Sequence, residues 1–303
     1  MIAQSSTNFG GGTRDVEHAS NRLRPVADLA FTGGTFCTTV AVPDILPPDL
    51  RRELEMDLGI NGRTAAIAAG SAGLGLGAAK ALAADGVRVA ICGRDSAKLA
   101  TAAEAIGGDV VTLESDLSVP NSGRKFIEDA TAALGHLDIL VTNAGGPPPG
   151  TFEDTDLDAY QAAFDMNCRA MIEMCRTAIP AMRERRWGRV CAITSVGVKQ
   201  PIGYLMASSV ARAGLTSFLK ITAREVAADG VTVNSAQPGT HWTDRVAKIV
   251  PDKETAASSV PARITGDPDD FGAAVAFLCS EQAKFITGTG LLVDGGQAAG
   301  LLD

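Results

Sequence analysis

The sequence has no long apolar run, no basic cluster and no paired cysteine motif. No apolar stretch reaches the roughly 18 residues that a membrane-spanning helix needs, and the first residues lack the basic and then apolar order of a secretory signal. Lys and Arg number 27 against 35 Asp and Glu, a formal net charge of −8. We therefore expect neither a membrane nor a nucleic acid as a partner.

Histidine and cysteine are too sparse and too scattered for a metal site. There are three histidines, and none has a spacing to cysteine that suggests zinc. No C-x-x-C motif relates the cysteines, which is typical of buried thiols in a reducing compartment. We expect no metal, no disulfide and a cytoplasmic location. The six cysteines are Cys37, Cys92, Cys168, Cys175, Cys191 and Cys279.

Residues 1–55 differ in composition from the rest of the chain. They contain Gly10 to Gly12, prolines at 43, 47 and 48, and little apolar periodicity. This composition is typical of a poorly ordered extension, although a lid or a partner-binding arm is an open alternative. Residues 56–303 are long enough for one α/β domain, and a hydrophobic content of 46% for the whole chain supports a substantial core.

From residue 62 onward, strand-like apolar segments alternate with helical ones. Several of these segments are too apolar to have a solvent-exposed face, which is typical of a parallel sheet covered by helices on both sides. The sequence therefore predicts an α/β fold with a doubly wound, seven-stranded parallel sheet, whose ligands bind beyond the carboxyl ends of the strands. The predicted strands are 64–69, 87–92, 110–113, 139–143, 190–194, 231–236 and 291–293.

The first strand is followed by a glycine-rich turn and then by a helix. Gly70 and Ser71 begin the turn, and Gly73, Gly75 and Ala78 fit the pattern G-x-G-x-x-A. Glycines let the backbone approach a ligand closely, and the free N–H groups of a helix N-terminus favour a pyrophosphate. The position predicts a dinucleotide site. The alternative is that the glycines serve only the packing of the helix on the sheet.

The ends of the next two strands indicate which dinucleotide is bound. Arg94 follows Gly93 at the end of the second strand, where glycine leaves room for a 2′-phosphate and arginine can bind it. We therefore predict NADP(H) rather than NAD(H). The alternative is a solvated Arg94 beside a helix cap at Asp95 or Ser96. At the end of the third strand, Asp116 is placed to accept a hydrogen bond from an adenine amino group.

A series of motifs after residue 56 resembles the short-chain dehydrogenase/reductase family. The similarity spans about residues 56 to 300 and is closest to 3-oxoacyl-acyl-carrier-protein-reductase-like members. It implies a Rossmann-type sheet, a nicotinamide dinucleotide, a small carbonyl or alcohol substrate and a homodimer or homotetramer. The motifs are AAGSAGLG at 68–75, Asp116-Leu117, NAGG at 143–146, Asn167, Ser195, Pro238-Gly239 with Thr243, and VDGG at 293–296.

The resemblance also implies which residues hold the cofactor. Ala68 and Ala69 depart mildly from the family, which has Thr-Gly at these positions. A turn would also explain the small residues after the fourth strand. The pyrophosphate is assigned to Gly70, Ser71, Gly73, Leu74 and Gly75, the adenine to Asp116 and Leu117, the ribose to Asn143, Ala144 and Gly145, and the nicotinamide amide to Pro238, Gly239 and Thr243.

The catalytic residues only partly follow the family pattern. Ser195 lies where the family has the serine that polarises the substrate carbonyl, and Asn167 lies where it has the asparagine of a proton relay. The family's proton-donating tyrosine, and the lysine four residues later, are both missing. The resemblance therefore implies an atypical subgroup with a substituted active site.

No alignment of the relevant helix restores the missing pair. One alignment places Leu205 and Ser209 at the tyrosine and lysine positions, and another places Tyr204 and Ser208 there. Arg212 lies on the same helical face as Leu205 and Ser209, and its side chain leans toward the helix N-terminus, into the space of the missing lysine. Similar family members carry S-x-x-x-R here, which Ser208 and Arg212 match. The alternative for Arg212 is an ion pair at a subunit contact.

These residues predict the division of catalytic roles. Arginine is a poor proton donor, so Arg212 would stabilise negative charge while Tyr204, Ser208 or a water supplies the proton. Ser195 would bind the carbonyl oxygen and Asn167 would anchor a water relay. The prediction is an NADP(H)-dependent oxidoreductase acting on a ketone or alcohol. The alternatives are an isomerase, dehydratase or cyclase on the same fold, and a non-catalytic nucleotide-binding subunit.

The segment after residue 240 borders the substrate in the family. Residues 240–268 are assigned to a lid, and the stretch 245–263 shows no distinctive chemistry. His241 is either an acid or a substrate contact or, as we expect, a solvated loop residue.

Overall fold

The computed structural model describes residues 57–301, so the extension expected at residues 1–55 lies outside the described residues. The described chain forms one sheet of seven parallel strands in the order β3-β2-β1-β4-β5-β6-β7. The predicted Rossmann-type, doubly wound sheet is therefore confirmed. The strands are β1 Thr64–Ile67, β2 Arg88–Gly93, β3 Val111–Glu114, β4 Ile139–Thr142, β5 Gly188–Ile193, β6 Val231–Pro238 and β7 Gly290–Val293.

The strand order reverses in the middle of the sheet, between β1 and β4. From β1 the chain adds β2 and β3 on one side, and from β4 it adds β5, β6 and β7 on the other. Every residue of β1 and of β4 is buried, which explains why both read as apolar runs without alternation. Crossover connections depart in opposite directions here, so a crevice opens at the carboxyl ends of these two strands.

Helices of the described residues pack on both faces of the sheet. Phe126 of α3, Met171 of α5 and Leu215 of α6 belong to the core on one face, whereas Leu99 of α2 and Phe271 of α8 belong to the core on the other. The helices are α1 Gly73–Ala84, α2 Ser96–Ile106, α3 Ser122–Leu134, α4 Leu157–Phe164, α5 Ala170–Glu184, α6 Met206–Val226, α7 Lys253–Ser258 and α8 Pro268–Leu278.

The chain is continuously helical from residue 157 to residue 184 but changes its hydrogen-bond pattern midway. A π-helical turn, Asp165–Arg169, joins α4 to α5. A π turn takes up one extra residue and rotates the side chains that follow it, and such turns are frequent at functional sites. Asn167 lies within this turn and is completely buried.

The segment between β6 and α8 contains little regular structure. It holds the 3₁₀ turn Val246–Lys248 and the short helix α7, which the sequence pattern did not reveal. Among residues 57–301, no helix combines the length and the apolar character that crossing a bilayer requires. The five cysteines in this part of the chain are all buried and free.

Candidate active site

The turn after β1 is held tightly between the neighbouring strands. The Ala68 N–H donates to the Val141 carbonyl, and the Gly70 N–H donates to the Cys92 carbonyl, both at 2.9 Å. Between them Ala69 takes φ = +48°, in the left-handed region where glycine is the favoured residue. The turn therefore directs the chain into α1 at the switch point of the sheet.

The N-terminus of α1 has the features that an anionic ligand requires. The cap residue, Ala72, makes no side-chain capping bond, and the first turn of α1 holds no acidic residue. The N–H groups at the start of α1 therefore have no capping side chain and no negative charge beside them. A Cβ atom on Gly75 would overlap the carbonyl oxygen of Ala69 and lie 2.9 Å from Nδ2 of Asn143. Glycine is thus needed to bring α1 this close to the turn.

The other predicted turn residues surround the same point. A Cβ on Gly73 would lie 3.5 Å from the methyl carbon of Thr243, so the turn after β1 faces the segment after β6. A Cβ on Gly93 would lie 2.8 Å from Oγ of Ser71, so glycine at the end of β2 leaves room for that hydroxyl. Leu74 instead packs on the core beneath.

Arg94 and Asp116 lie together at the ends of β2 and β3. Asp116 accepts hydrogen bonds from the backbone N–H of Ser118 at 3.0 Å and from its hydroxyl at 2.7 Å. These bonds, with a smaller effect of the Arg94 charge, hold the pKa of Asp116 below its ordinary value. Arg94 itself is exposed. Asp95 caps the N-terminus of α2, which agrees with the alternative interpretation of a solvated Arg94 beside a helix cap. Leu117 is buried behind them.

The loop after β4 is tied to both the glycine turn and the π turn. Nδ2 of Asn143 lies 3.5 Å from the Ala69 carbonyl oxygen, and Nδ2 of Asn167 donates to the Gly145 carbonyl at 2.8 Å. Oδ1 of Asn167 is buried and has no hydrogen-bond partner among the described residues. Such an atom needs a water or ligand donor.

Ser195 follows β5 at the centre of the crevice. Its Oγ accepts from the backbone N–H of Gly197 at 3.0 Å, which fixes the rotamer of the hydroxyl. A Cβ placed on Gly197 would lie 3.2 Å from Oγ of Ser195 and 3.4 Å from Oγ of Ser209. The two serine hydroxyls therefore approach the same point from β5 and α6.

Arg212 is the most deeply buried charge at the site. Its Nε donates to Oγ of Ser208 at 3.3 Å, and its Nη1 donates to the Ile193 carbonyl at the end of β5 at 3.0 Å. Only 7% of Arg212 is exposed, and no carboxylate among residues 57–301 lies within 4.0 Å of it. Burial, and then the charge of Arg245, lower the pKa of Arg212 to about 10.

The structure separates the two candidate proton donors on this segment. Ser208 lies in the first turns of α6, is 9% exposed and contacts Arg212. Tyr204 precedes the helix, is 54% exposed, and accepts a hydrogen bond from Gly150 through its backbone carbonyl. Leu205 is the helix cap. Ser208, and not Tyr204, is therefore the hydroxyl that the fold places beside the buried charge.

The end of β6 pairs with β7, and the segment after β6 packs against α8. The Gly239 N–H donates to the Val293 carbonyl at 3.0 Å, which continues the pairing that Pro238 begins. His241 is 4% exposed and packs edge-on against Phe271, with ring centroids 5.1 Å apart, and this burial lowers its pKa. The expectation of a solvated loop histidine is wrong, because His241 belongs to the core beneath the lid.

Arg245 is the residue at this site that the sequence did not indicate. Its guanidinium lies against Gly146, where any Cβ would overlap it, and its Nη2 donates to the Pro147 carbonyl at 2.9 Å. The side chain thus spans the crevice from the segment after β6 to the loop after β4. The contact joins residues about 100 positions apart, so no local pattern in the sequence could reveal it.

Known proteins match most of the described chain. The family model described as enoyl-(acyl carrier protein) reductase matches residues 68–298. Nodulation protein G of Azospirillum brasilense is 37% identical over 74% of this chain and 93% of its own length. Acetoacetyl-CoA reductase of Shinella zoogloeoides is 34% identical over 78% of this chain and 98% of its own length.

A solved structure extends the similarity to the fold. L-Sorbose reductase from Gluconobacter frateurii, crystallised with NADPH and L-sorbose, is 28% identical, with a TM-score of 0.76 over 81% of this chain and 100% of its own. The family model and the relatives confirm the resemblance that the motifs carry. The chain belongs to the short-chain dehydrogenase/reductase family, among its 3-oxoacyl-acyl-carrier-protein-reductase-like members.

Proposed function

We propose that the protein is an NADP(H)-dependent oxidoreductase that reduces a ketone, or oxidises the matching alcohol, with Ser208 and Arg212 in place of the family's tyrosine and lysine. One observation carries the assignment of these two residues. They are buried, hydrogen-bonded to each other and four residues apart on α6, and Arg212 also donates to the end of β5, two residues before Ser195. This is the spacing of the missing tyrosine and lysine.

The residues of the crevice fit a nicotinamide dinucleotide. The uncapped N-terminus of α1 and the close approach at Gly75 form a cradle for a pyrophosphate. The ends of β3 and β4 then offer Asp116 with Leu117 to the adenine and residues 143–145 to the ribose, and Thr243 faces the same cleft. When bound, NADPH supplies hydride to the substrate carbon. The relative crystallised with NADPH supports this cofactor.

The side chains of the site supply polarisation and a proton. Because Oγ of Ser208 accepts from Arg212, its own hydroxyl proton is free to pass to the substrate oxygen. The Ser195 hydroxyl would also hydrogen-bond that oxygen, and the Arg212 charge would stabilise the negative charge that develops on it. A water on the unpartnered Oδ1 of Asn167 would return a proton to Ser208.

The relatives favour this redox function over the alternatives. The curated relative and the solved structure whose names state an activity are both described as reductases, and neither is described as an isomerase, dehydratase or cyclase. The polar groups held at the strand ends also favour catalysis over a purely nucleotide-binding role. Backbone or side-chain hydrogen bonds hold Ser195 after β5, Ser208 with Arg212 on α6, and Asn167 against the loop after β4.

Consumption of NADPH with a panel of ketones and a 3-oxoacyl thioester tests the function. We expect turnover by the wild-type protein and a loss of about 10²-fold or more in the Ser208→Ala variant. The Tyr204→Phe variant serves as the comparison, and it should keep most of the activity because Tyr204 lies outside the buried pair. NADPH binding without turnover of any substrate, or greater loss in Tyr204→Phe than in Ser208→Ala, would contradict the proposal.

Arg94 is expected to set the preference for NADPH over NADH. The Arg94→Ala variant should reduce the ratio of the two affinities by about 10- to 100-fold, because a charge-assisted bond to the 2′-phosphate is lost. Isothermal calorimetry with both cofactors measures the ratio. Lys98→Ala, which removes another exposed cation from the start of α2, is the control. An unchanged ratio in Arg94→Ala would assign the preference to another residue.

Assembly and location stay predictions. A homodimer or homotetramer is supported by exposed apolar side chains on α4 and α6, namely Leu157, Phe164, Val210 and Ile221. A cytoplasmic site of action is supported by the free, buried thiols in the described part of the chain.

A further inference from the structure

Two guanidinium groups lie at the ends of neighbouring strands without an acidic partner among the described residues. Arg212 reaches the end of β5 from α6, and Arg245 reaches the loop after β4 from the segment after β6. Within the described residues, no carboxylate lies within 4.0 Å of either group. The arginines are also near enough to each other for the charge of Arg245 to act on Arg212.

Such an arrangement is costly unless an anion joins it. Arg212 is buried whereas Arg245 is exposed, and a second positive charge beside a buried one disfavours the charged form of the buried group. The hydrogen bonds that the two groups make go to the neutral carbonyls of Ile193 and Pro147 and to the Ser208 hydroxyl. Neutral acceptors do not cancel a positive charge. A carboxylate does so and can accept two parallel bonds from a guanidinium.

The position of the pair indicates the substrate and not the cofactor phosphates. The pyrophosphate cradle lies after β1, at the start of α1. The two guanidinium groups lie instead over the ends of β4 and β5, beside Ser195 and Ser208. The bare backbone of Gly146 is what lets Arg245 enter this space, because a side chain at that position would occupy it.

We propose that the substrate is an oxo acid, whose carboxylate is bound by Arg245 against the charge of Arg212 while its keto oxygen meets Ser195 and Ser208. This inference rests on the proposed function and names the substrate class of the same site. Arg245 acts as a specificity-determining residue, because it binds a group that stays unchanged in the reaction. Esters and amides of the same acids lack the charge and lose this contact.

The test compares each oxo acid with its own methyl ester. Pyruvate, acetoacetate and levulinate place the keto group at three distances from the carboxylate, and kcat/KM with NADPH is measured for each acid and ester. We expect at least one acid to exceed its ester by about 10-fold or more, the typical effect of losing a charge-assisted hydrogen bond. In Arg245→Gln that ratio should fall toward one. Lys248→Gln, which removes a second cation from the same segment, should leave it unchanged.

Three results would overturn the inference. If the kcat/KM of each ester equals that of its acid at all three chain lengths, no charged contact to the substrate is needed. An equal loss on acids and esters in Arg245→Gln would make Arg245 a structural residue. A loss that falls on the NADPH affinity instead would assign Arg245 to a cofactor phosphate.

A binding measurement separates this inference from the proposed function. The dissociation constants of the three acids are measured by calorimetry on the protein saturated with NADP⁺, in the wild type and in Arg245→Gln. Arg245-dependent binding without turnover would support the oxo acid site and contradict the reductase function. Turnover of neutral ketones, without Arg245-dependent binding of any acid, would support the reductase function and overturn the oxo acid site.

Discussion

Replacing Arg212 by methionine is expected to lower kcat/KM for ketone reduction by about 10²- to 10⁴-fold. The guanidinium supplies the positive charge nearest to Ser208 and Ser195, and it holds the Ser208 hydroxyl through the 3.3 Å bond from Nε. Without it, negative charge on the substrate oxygen develops in a site with no other buried cation among the residues described. Steady-state kinetics with saturating NADPH measures the loss.

Stability distinguishes a catalytic effect from a damaged fold. Arg212 is 7% exposed and lacks a carboxylate partner, so methionine removes an uncompensated buried charge while filling a similar volume. The thermal midpoint of Arg212→Met should therefore stay at or above that of the wild type. Arg212→Lys, which keeps a charge, should retain more activity than Arg212→Met. Wild-type activity in Arg212→Met would end the assignment of this residue to catalysis.

The sequence predicted the sheet because its signals are local. A buried parallel strand is apolar along its whole length, and the residues 64–67 and 139–142 show this directly. Helix boundaries were also visible where a cap marks them, as Asp95 does for α2. The glycine turn could be predicted for the same reason, since strand, turn and helix follow one another within fifteen residues or so.

The rest of the site depends on contacts between distant segments. The π turn around Asn167 exists where α4 and α5 pass the loop after β4, to which Asn167 donates a bond at Gly145, and helical periodicity carries no sign of one extra residue. Arg245 and Gly146 meet only because β4 and β6 end at the same edge. His241 was expected in solvent because nothing in the sequence orients its side chain, but its neighbours in space are Phe271 and Gly266.

The pair that replaces the family's tyrosine and lysine could not be chosen from sequence either. Leu205 with Ser209, Tyr204 with Ser208, and Ser208 with Arg212 all lie four residues apart, and positions four apart share a helical face. Burial and hydrogen bonding favour the third pair, because Ser208 and Arg212 are both enclosed and bonded to each other. Ser209 lies on the same turn and approaches the Ser195 hydroxyl instead. Which of these residues acts in catalysis stays a prediction that the variants above test.

The Gly75→Ala variant is expected to lose both stability and cofactor affinity. Its Cβ would overlap the Ala69 carbonyl oxygen, which belongs to a turn fixed between β2 and β4, so α1 must move outward. We expect a cost of about 2–3 kcal/mol in the free energy of unfolding. The affinity for NADPH should fall by about 10- to 100-fold, because the N–H groups of α1 lose their position. Thermal unfolding and calorimetry measure the two effects.

The opposite exchange in the same turn provides the matched control. Ala69 has φ = +48°, so Ala69→Gly relieves a strained backbone, and we expect about 0.5–1 kcal/mol of added stability with cofactor affinity kept. The two variants differ from the wild type by one methyl group each. If Gly75→Ala loses stability and cofactor affinity while Ala69→Gly gains stability and keeps the affinity, the backbone conformation of the turn, and not side-chain volume in general, determines cofactor binding. If Gly75→Ala binds NADPH as tightly as the wild type, α1 does not hold the pyrophosphate and the dinucleotide must lie elsewhere in the crevice.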